Sequence, residues 1–343
     1  MAKITVGLDI GFTSVKVVAL SRGSDLPKLV SLGSINSPQP GMASDADQDI
    51  KAVASTIQKL MQSCKIEDNE VVAALPESKV FTRVIDDLPY LSDQELPSAI
   101  RYASEEFIPM PMSDVNLNWQ VLYRGKNKSD RTVVFVVASP KQVVNKYVKL
   151  LTLAGLQPKA LETEIIAGAR ALVGNNPFSP TTLIVQMRTQ TTDFAIVSKG
   201  LILLTRSIAT GGSALSRSLS QHFNFENAQA EEYKKVYGIL PDQLEGKVYE
   251  ALKPVVDTIV EETRRVIESF HARNPTNRIK RIVLSGGGAK MPGLVVYLAN
   301  NLNMEVQEAD PWYFIAKDEV TKSKLIQEGP MYTVAVGLAL WEA

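Results

Sequence analysis

Sulfur and imidazole are scarce in this sequence: one cysteine and two histidines in 343 residues. A single cysteine, Cys64, excludes an internal disulfide framework and suits a reducing compartment. Together with His222 and His271 it leaves too few ligands for a His/Cys zinc site. A surplus of charge is missing too. Lys plus Arg and Asp plus Glu each number 37, so no net field draws the chain to nucleic acid or anionic lipid. No apolar run approaches the roughly 18 residues that span a bilayer. The first alternating segment starts near residue 4, without the charged and apolar regions of a secretory leader. These absences predict a cytoplasmic protein that meets a membrane only through a partner. The length allows two or three domains, and 45% hydrophobic residues suffice for a sizeable core.

What is present begins with a ribbon over residues 3–20, KITVGLDIGFTSVKVVAL. Ile4, Val6, Leu8 and Ile10 alternate with Thr5, Gly7 and Asp9, the period-2 pattern of a half-buried strand. A second β-rich run, residues 15–20, follows at once, and Gly11-Phe12-Thr13-Ser14 between them is short enough for a hairpin turn. Successive backbone N–H groups in such a turn form a concave nest for anions. Asp9 beside it repels a bare phosphate but suits a Mg²⁺-bound one, directly or through water. The same residues also fit a plainer description, an edge hairpin with an exposed Asp.

Residues 28–35 read as a third strand, and residues 49–64 as a helix with Ile50, Val53, Ile57, Leu60 and Met61 on one stripe. Residues 70–75 are a fourth strand, stopped by Pro76. Residues 80–138 form an inserted unit. It holds a strand, a helix to about residue 107, a Pro109-Met110-Pro111 bend, and two strands over 116–122 and 132–138. Ser92 and Glu95 have capping-box spacing before that helix, while Pro97 moves its start toward itself. A helix (140–153), a strand (158–162) and a helix (163–173) follow.

The stretch 175–180, NNPFSP, breaks the pattern, and the same order then starts again. Strands are expected over 183–187, 193–198 and 201–208, and a helix from Gly211-Gly212 to about residue 223. A helical block, 226–272, precedes the fourth strand at 279–285. In that block Val256, Ile259, Val260, Thr263, Ile267 and Phe270 make a buried stripe, with Glu261 and Arg265 as an outer i,i+4 pair. A helix (292–301), a strand (305–308) and a closing helix (331–341) complete the chain. His222 and His271 read as polar positions on helix surfaces, and Cys64 as structural. The order is a long, diverged internal duplication.

Two ribbons in duplicated halves bring two turns to one cleft, where both approach a polyphosphate. This pattern resembles the actin/Hsp70/sugar-kinase superfamily. GLDIGFTSVK resembles its first phosphate loop, and IVLSGGGAKMPGL (282–294) its adenosine loop. There the glycines Gly286, Gly287 and Gly288 would let the backbone approach purine and sugar. The insertion follows the fourth strand, as in FtsA and PilM. Four stretches are most similar to the PilM family of type IV pilus assembly proteins. They are LPYLSDQELPSAIRYASEEFIPMPMSDVNLNWQVL (88–122), AGLQP (154–158), ETEIIAGARAL (162–172) and AEEYKKVYG (230–238).

The resemblance implies an α/β, duplicated actin-like (RNase H-like) fold, two βββαβαβα halves facing a nucleotide cleft, with an FtsA/PilM-type inserted subdomain. The expected partition has residues 1–79 as first-half core, with 139–177 and part of 330–343. Residues 80–138 are the insert, 178–225 and 273–329 the second-half core, and 226–272 a helical subdomain on the nucleotide side. ATP is the implied ligand, with Mg²⁺ held by Asp9. Its implied contacts are Asp9, Gly11, Phe12, Thr13, Ser14, Lys16, Arg188, Gly211, Gly212, Gly286, Gly287 and Gly288, with Glu231 and Lys234 on the helix that reaches the ribose. The implied partner is the N-terminal cytoplasmic peptide of a PilN-like inner-membrane protein, docked between first-half core and insert. Further pilus assembly proteins, including the assembly ATPase, are implied as well, at the inner face of the cytoplasmic membrane. The end Trp341-Glu342-Ala343, without linker or amphipathic helix, sets the expectation against FtsA.

One part departs from the superfamily pattern. The second phosphate loop usually reads Asp-hydrophobic-Gly; here Gln186-Met187-Arg188 stand there, followed by Thr189-Gln190-Thr191-Thr192-Asp193. Gln186 cannot act as a general base, although a Gln can orient a water. Arg188 either bonds a phosphate bidentately or fills the site. Asp193 is expected one strand over. Lys16 is either a solvated strand end or a phosphate ligand; Gly211-Gly212 either a strand-to-helix stop or a phosphate-facing helix end; the triple glycine either a plain turn or a nucleotide contact. The expectation is a nucleotide-binding adaptor with little or no hydrolysis, not an enzyme. An ATPase or phosphotransferase is the alternative, which a carboxylate at the second loop would favour. An FtsA-like filament protein is another, marked by self-association and membrane affinity.

Overall fold

A computed structural model describes residues 3–342 except Ser24, Asp25, Lys126, Lys128, Asn175, Pro177 and Asp318, with only the backbone described over 319–322. Asn175 and Pro177 of the expected break thus lie outside the described residues. The first half begins with β1 (Lys3–Ile10), β2 (Ser14–Arg22), β3 (Lys28–Asn36), α1 (Asp47–Ser63) and β4 (Glu70–Leu75). The insert holds β5 (Phe81–Pro89), α2 (Leu96–Ser104), β6 (Val115–Arg124) and β7 (Arg131–Pro140). α3 (Lys141–Leu153), β8 (Gln157–Thr163) and α4 (Glu164–Leu172) return to the first half. The second half has β9 (Thr182–Met187), β10 (Thr192–Ser198), β11 (Leu201–Ile208), α5 (Gly212–Phe223), α6 (Asn227–Tyr237) and α7 (Lys247–Arg273). It closes with β12 (Arg281–Ser285), α8 (Leu294–Leu302), β13 (Val306–Glu308) and α9 (Glu319–Ala339).

The described residues form three sheets, ordered β3-β2-β1-β4-β8, β11-β10-β9-β12-β13 and β5-β7-β6. The first two are the same arrangement twice: an antiparallel ribbon of three strands extended by two parallel ones. α1 and α3 cover one face of the first sheet through Ile50, Val53, Ile57, Leu60, Leu150 and Leu151. α5, α7 and α8 cover the outer face of the second through Leu215, Leu252, Val256, Ile259 and Leu294. Between the sheets run α4 and α9, and they cross over. α9, from the second half, packs Tyr332, Ala335, Val336 and Ala339 on Val18 and Leu20 of the first sheet. α4, from the first half, packs Ile165, Ala169 and Val173 on Ile184, Ala195 and Val197 of the second.

Small residues make this middle layer thin. A Cβ on Gly7 would stand 2.2 Å from the Ala335 carbonyl oxygen, and one on Gly337 only 1.8 Å from that of Ala167. Arg170 pins the layer by a bidentate pair with Glu162, two N···O distances of 2.7 Å, and by donating to the Gly337 carbonyl at 2.8 Å.

Several expected boundaries move. α9, expected over 331–341, runs from Glu319 to Ala339 with Pro330 inside it. The Pro330 carbonyl takes the Gly286 N–H at 2.8 Å and the Thr333 hydroxyl at 3.1 Å. Ser92 and Glu95 exchange the bonds of a capping box, while the α-helix proper starts at Leu96 with Pro97 in its first turn. The expected Glu261–Arg265 pair is replaced by i,i+3 pairs, Glu261 with Arg264 and Glu262 with Arg265. Glu262 is buried and also pairs with Arg206 of β11. His271 does more than occupy a surface: its Nε2 accepts the Ile279 N–H at 3.1 Å, fastening the end of α7 to the approach to β12.

Because Gly337 meets backbone and not a yielding side chain, Gly337→Ala is expected to destabilise the fold by about 1–3 kcal/mol. An exposed Gly such as Gly23, with nothing within 4 Å of its Cβ position, serves as the control in denaturant unfolding.

Candidate functional site

The two hairpin turns face each other across the line where the halves meet. In the first, the Gly11 N–H donates to the Ser14 carbonyl at 3.0 Å. The carbonyls of Gly11, Phe12 and Thr13 are all taken by the segment that follows β3, from Ser37 Oγ (2.8 Å), Gln39 Nε2 (2.8 Å) and the Ser37 N–H (3.0 Å). With the carbonyls turned that way, the N–H groups of Phe12 and Thr13 have no acceptor among the described residues. That is the donor arrangement of an anion nest. Lys16, opposite Asp9 in the register of β1 and β2, donates to Ser14 Oγ at 2.7 Å. Burial lowers its pKa, and the Asp9 charge works against that shift.

The second turn leaves β9 at Arg188, whose N–H donates to the Thr191 carbonyl at 2.9 Å. Its side chain reaches across to the first half. Nη2 lies 3.1 Å from Asp9 Oδ1 and 2.7 Å from Glu164 Oε1, with only 16% of the side chain exposed. Burial works against the guanidinium charge, but Asp9 and Glu164 outweigh it and raise the Arg188 pKa. At the rim, Thr13 Oγ1 and Thr189 Oγ1 stand 3.1 Å apart in an exposed contact.

Behind this bridge lies a set of buried acids. Glu164 opens α4, just past the N-cap Thr163, and its Oε2 accepts the Glu77 N–H at 3.3 Å. Burial raises the Glu164 pKa, opposed by Arg188. Glu77 accepts from the Ile165 N–H at 3.5 Å and from Thr82 Oγ1 at 3.3 Å, and burial pushes its pKa up to about 8, helped by the Asp193 charge. Asp193 lies one strand over, opposite Gln186, accepting from Ser207 (2.5 Å) and Thr191 (3.1 Å). Gln186 is fully buried, and neither of its side-chain polar atoms has a hydrogen-bond partner among the described residues. No group of three or more His, Cys, Asp or Glu side chains able to hold a metal ion occurs among the described residues.

The remaining expected contacts group around the second half. The Gly212 and Ser213 N–H groups, at the start of α5, donate to the Arg188 and Thr189 carbonyls, each at 2.8 Å. The helix end is thereby capped by the turn. A Cβ on Gly211 would meet the Arg188 carbonyl oxygen at 2.5 Å, so this glycine is needed for that close approach. Glu231 and Lys234 pair at 2.6 Å and share Ser216, and Lys234 also donates to the Gly212 carbonyl at 3.0 Å. Of the triple glycine, Gly286 and Gly288 abut Met187, while a Cβ on Gly287 would meet nothing within 4 Å.

A second concavity lies between the insert and the first-half core. It encloses about 740 Å³ between α2 and β6 on one side and α3 and the ends of β4 and β8 on the other. Its lining includes Leu75, Val115, Leu117, Trp119, Val144 and Leu161, two cations, Arg101 and Lys141, and no acid. β6 is the outer strand of its sheet, with one backbone edge unpaired.

The family model for the type IV pilus assembly protein PilM matches residues 7–343. The chain belongs to the PilM family. Among solved structures, one titled the PilM-PilN type IV pilus biogenesis complex contains a chain 27% identical, covering 98% of this chain and 97% of that one, with a TM-score of 0.85. MreB5 of Spiroplasma citri bound to AMPPNP, 14% identical with a TM-score of 0.54 over 100% and 96% of the two chains, shares the actin-like fold. The cell division protein FtsA of Bacillus subtilis (strain 168) is 20% identical over 380 residues, 98% of this chain and 82% of that protein. The fold expected from the sequence is the fold found.

Sequence reasoning on this PilM-family chain passed over Glu77 and Glu164. The available signal was the acid-rich Glu162-Thr163-Glu164, where a Thr suited to an N-cap precedes the helix that the apolar spacing starts. A folded-state pKa above that of the unfolded chain means that folding takes up protons near neutrality. The stability contributed by protonated Glu77 is therefore complete below its unfolded value near 4.5 and lost as pH rises through about 8. Glu77→Gln should flatten the fall of melting temperature between these limits, giving a variant more stable than the parent at pH 9 (thermal melts across pH).

Proposed function

We propose that this protein is a cytoplasmic adaptor of type IV pilus assembly whose groove beneath β6 holds the N-terminal segment of a PilN-like inner-membrane protein. The observation that carries this reading is the groove itself: an apolar floor with Trp119 at its side, two cations and an unpaired strand edge. An extended peptide can add to such an edge by main-chain hydrogen bonds, with side-chain pockets selecting it. Arg101 and Lys141 favour a peptide with an acidic residue. Among the described residues no helix is long and apolar enough to cross a membrane, which fits recruitment through the partner. Titration calorimetry with a synthetic N-terminal PilN peptide should give saturable heat, and Trp119→Ala should weaken it by about tenfold or more, as for an exposed aromatic that the peptide covers on binding. No heat at high micromolar peptide with folded protein would refute the reading.

The nest at Phe12 and Thr13 supports a second ligand, ATP, in the cleft. Gly287, open to solvent above β12, suits the purine side. Entry of a polyphosphate must part the exposed Thr13–Thr189 contact. Hydrolysis is not expected. A general base needs a free carboxylate within reach of a water, and Glu164 has both oxygens engaged while Gln186 replaces the second-loop acid. ATP at about 100 times its Kd should stabilise the protein by about 2.7 kcal/mol. Asp9→Ala should reduce that gain by loosening Arg188. Release of several phosphates per protein per minute would reverse the assignment to a non-enzyme.

A further inference from the structure

Asp9 and Glu164 come from different elements of the first half and converge on one point, the arrangement that a hard cation requires. That point is Nη2 of Arg188, at 3.1 and 2.7 Å. The guanidinium comes from the second-loop position where the resemblance of the sequence set the expectation of a glycine. Both carboxylates are committed to it, and the described residues do not supply a metal cluster in its place. Asp9 therefore does not fit as a Mg²⁺ ligand in this chain.

The hydrogen bond of Arg188 to Asp9 and its ion-pair contact with Glu164 run through Nη2, which also faces the turn at Gly11, 3.5 Å from where a Cβ on that glycine would stand; Nη1 and Nε are the further donors of the same planar group. Lys16 stands on the same side, opposite Asp9. Arg188 and Lys16 together carry the formal charge of one divalent ion. We propose that Arg188 takes the place of the divalent cation, so that the cleft holds a nucleoside polyphosphate without Mg²⁺, the phosphates meeting Nη1, Nε, Lys16 and the Phe12 and Thr13 N–H groups. This rests on the nucleotide reading above and gives that reading its metal requirement: none.

The test uses the full chain and ATP, with affinity measured by calorimetry in EDTA and in excess Mg²⁺ at matched ionic strength. The wild type should bind equally well in both, within about threefold, and its melting temperature without nucleotide should not respond to Mg²⁺. Arg188→Ala leaves two carboxylates facing each other. Its melting temperature should rise with Mg²⁺, and its ATP affinity should fall at least tenfold in EDTA and recover in Mg²⁺. Arg188→Lys, which keeps a cation, should retain metal-free binding and keeps the test open if the alanine variant does not fold. ATP binding that is at least tenfold tighter with Mg²⁺ in the wild type overturns the inference while leaving nucleotide binding intact. Tighter binding by Arg188→Ala in EDTA also overturns it, since Arg188 would then be a plug. Absence of binding in both conditions defeats the nucleotide reading, and this inference with it.

Discussion

The arginine that crosses from the second half to Asp9 and Glu164 sets most of what surrounds it. A buried guanidinium is tolerable only when carboxylates face it, and a buried carboxylate pair only when a cation sits between them. The three groups therefore hold each other in place, and each half contributes what the other cannot do without. The same residue shapes the backbone. Its N–H closes the second turn, and its carbonyl caps α5. Behind it, Glu77 and Asp193 are kept from water by this arrangement, which is why burial governs their proton affinities.

The architecture separates two tasks. The cleft is built from turns and helix ends and bridged by ion pairs. The groove under β6 is built from a strand edge, an apolar floor and two cations. They share the first-half core: β4 ends at Leu75 in the groove wall, and Glu77, two residues on, touches Glu164 behind the cleft. β8 does the same, with Leu161 in the groove and Thr163 capping α4. Two short strands thus connect both concavities, a physical route by which a ligand in one can bias the other.

Much of this was legible in the sequence, for identifiable reasons. Strands read well because alternation such as Ile4, Val6, Leu8 and Ile10 survives in an antiparallel ribbon, and the repeated order exposed the duplication. The departure at Gln186 and Arg188 was visible as a mismatch with the superfamily loop. Its meaning was not, since local spacing cannot say what a long side chain reaches across a cleft; only the fold puts Asp9 and Glu164 beside Arg188. Glu77 and Glu164 escaped for a related reason: 87 residues separate them, and only the parallel pairing of β4 with β8 brings them together. The closing helix, expected from residue 331, begins instead at Glu319, since tertiary packing carries α9 through Pro330.

The crossing of α4 and α9 has a consequence for how the chain can be made. The face of the first sheet formed by Val18 and Leu20 is covered by α9, from the far end of the sequence. As synthesis proceeds from the N-terminus, the ribbon that forms first keeps an apolar face in water until the final helix has emerged. Neither half can finish its interior from its own residues. The duplicated halves are therefore not two domains joined by a break but one interlocked body.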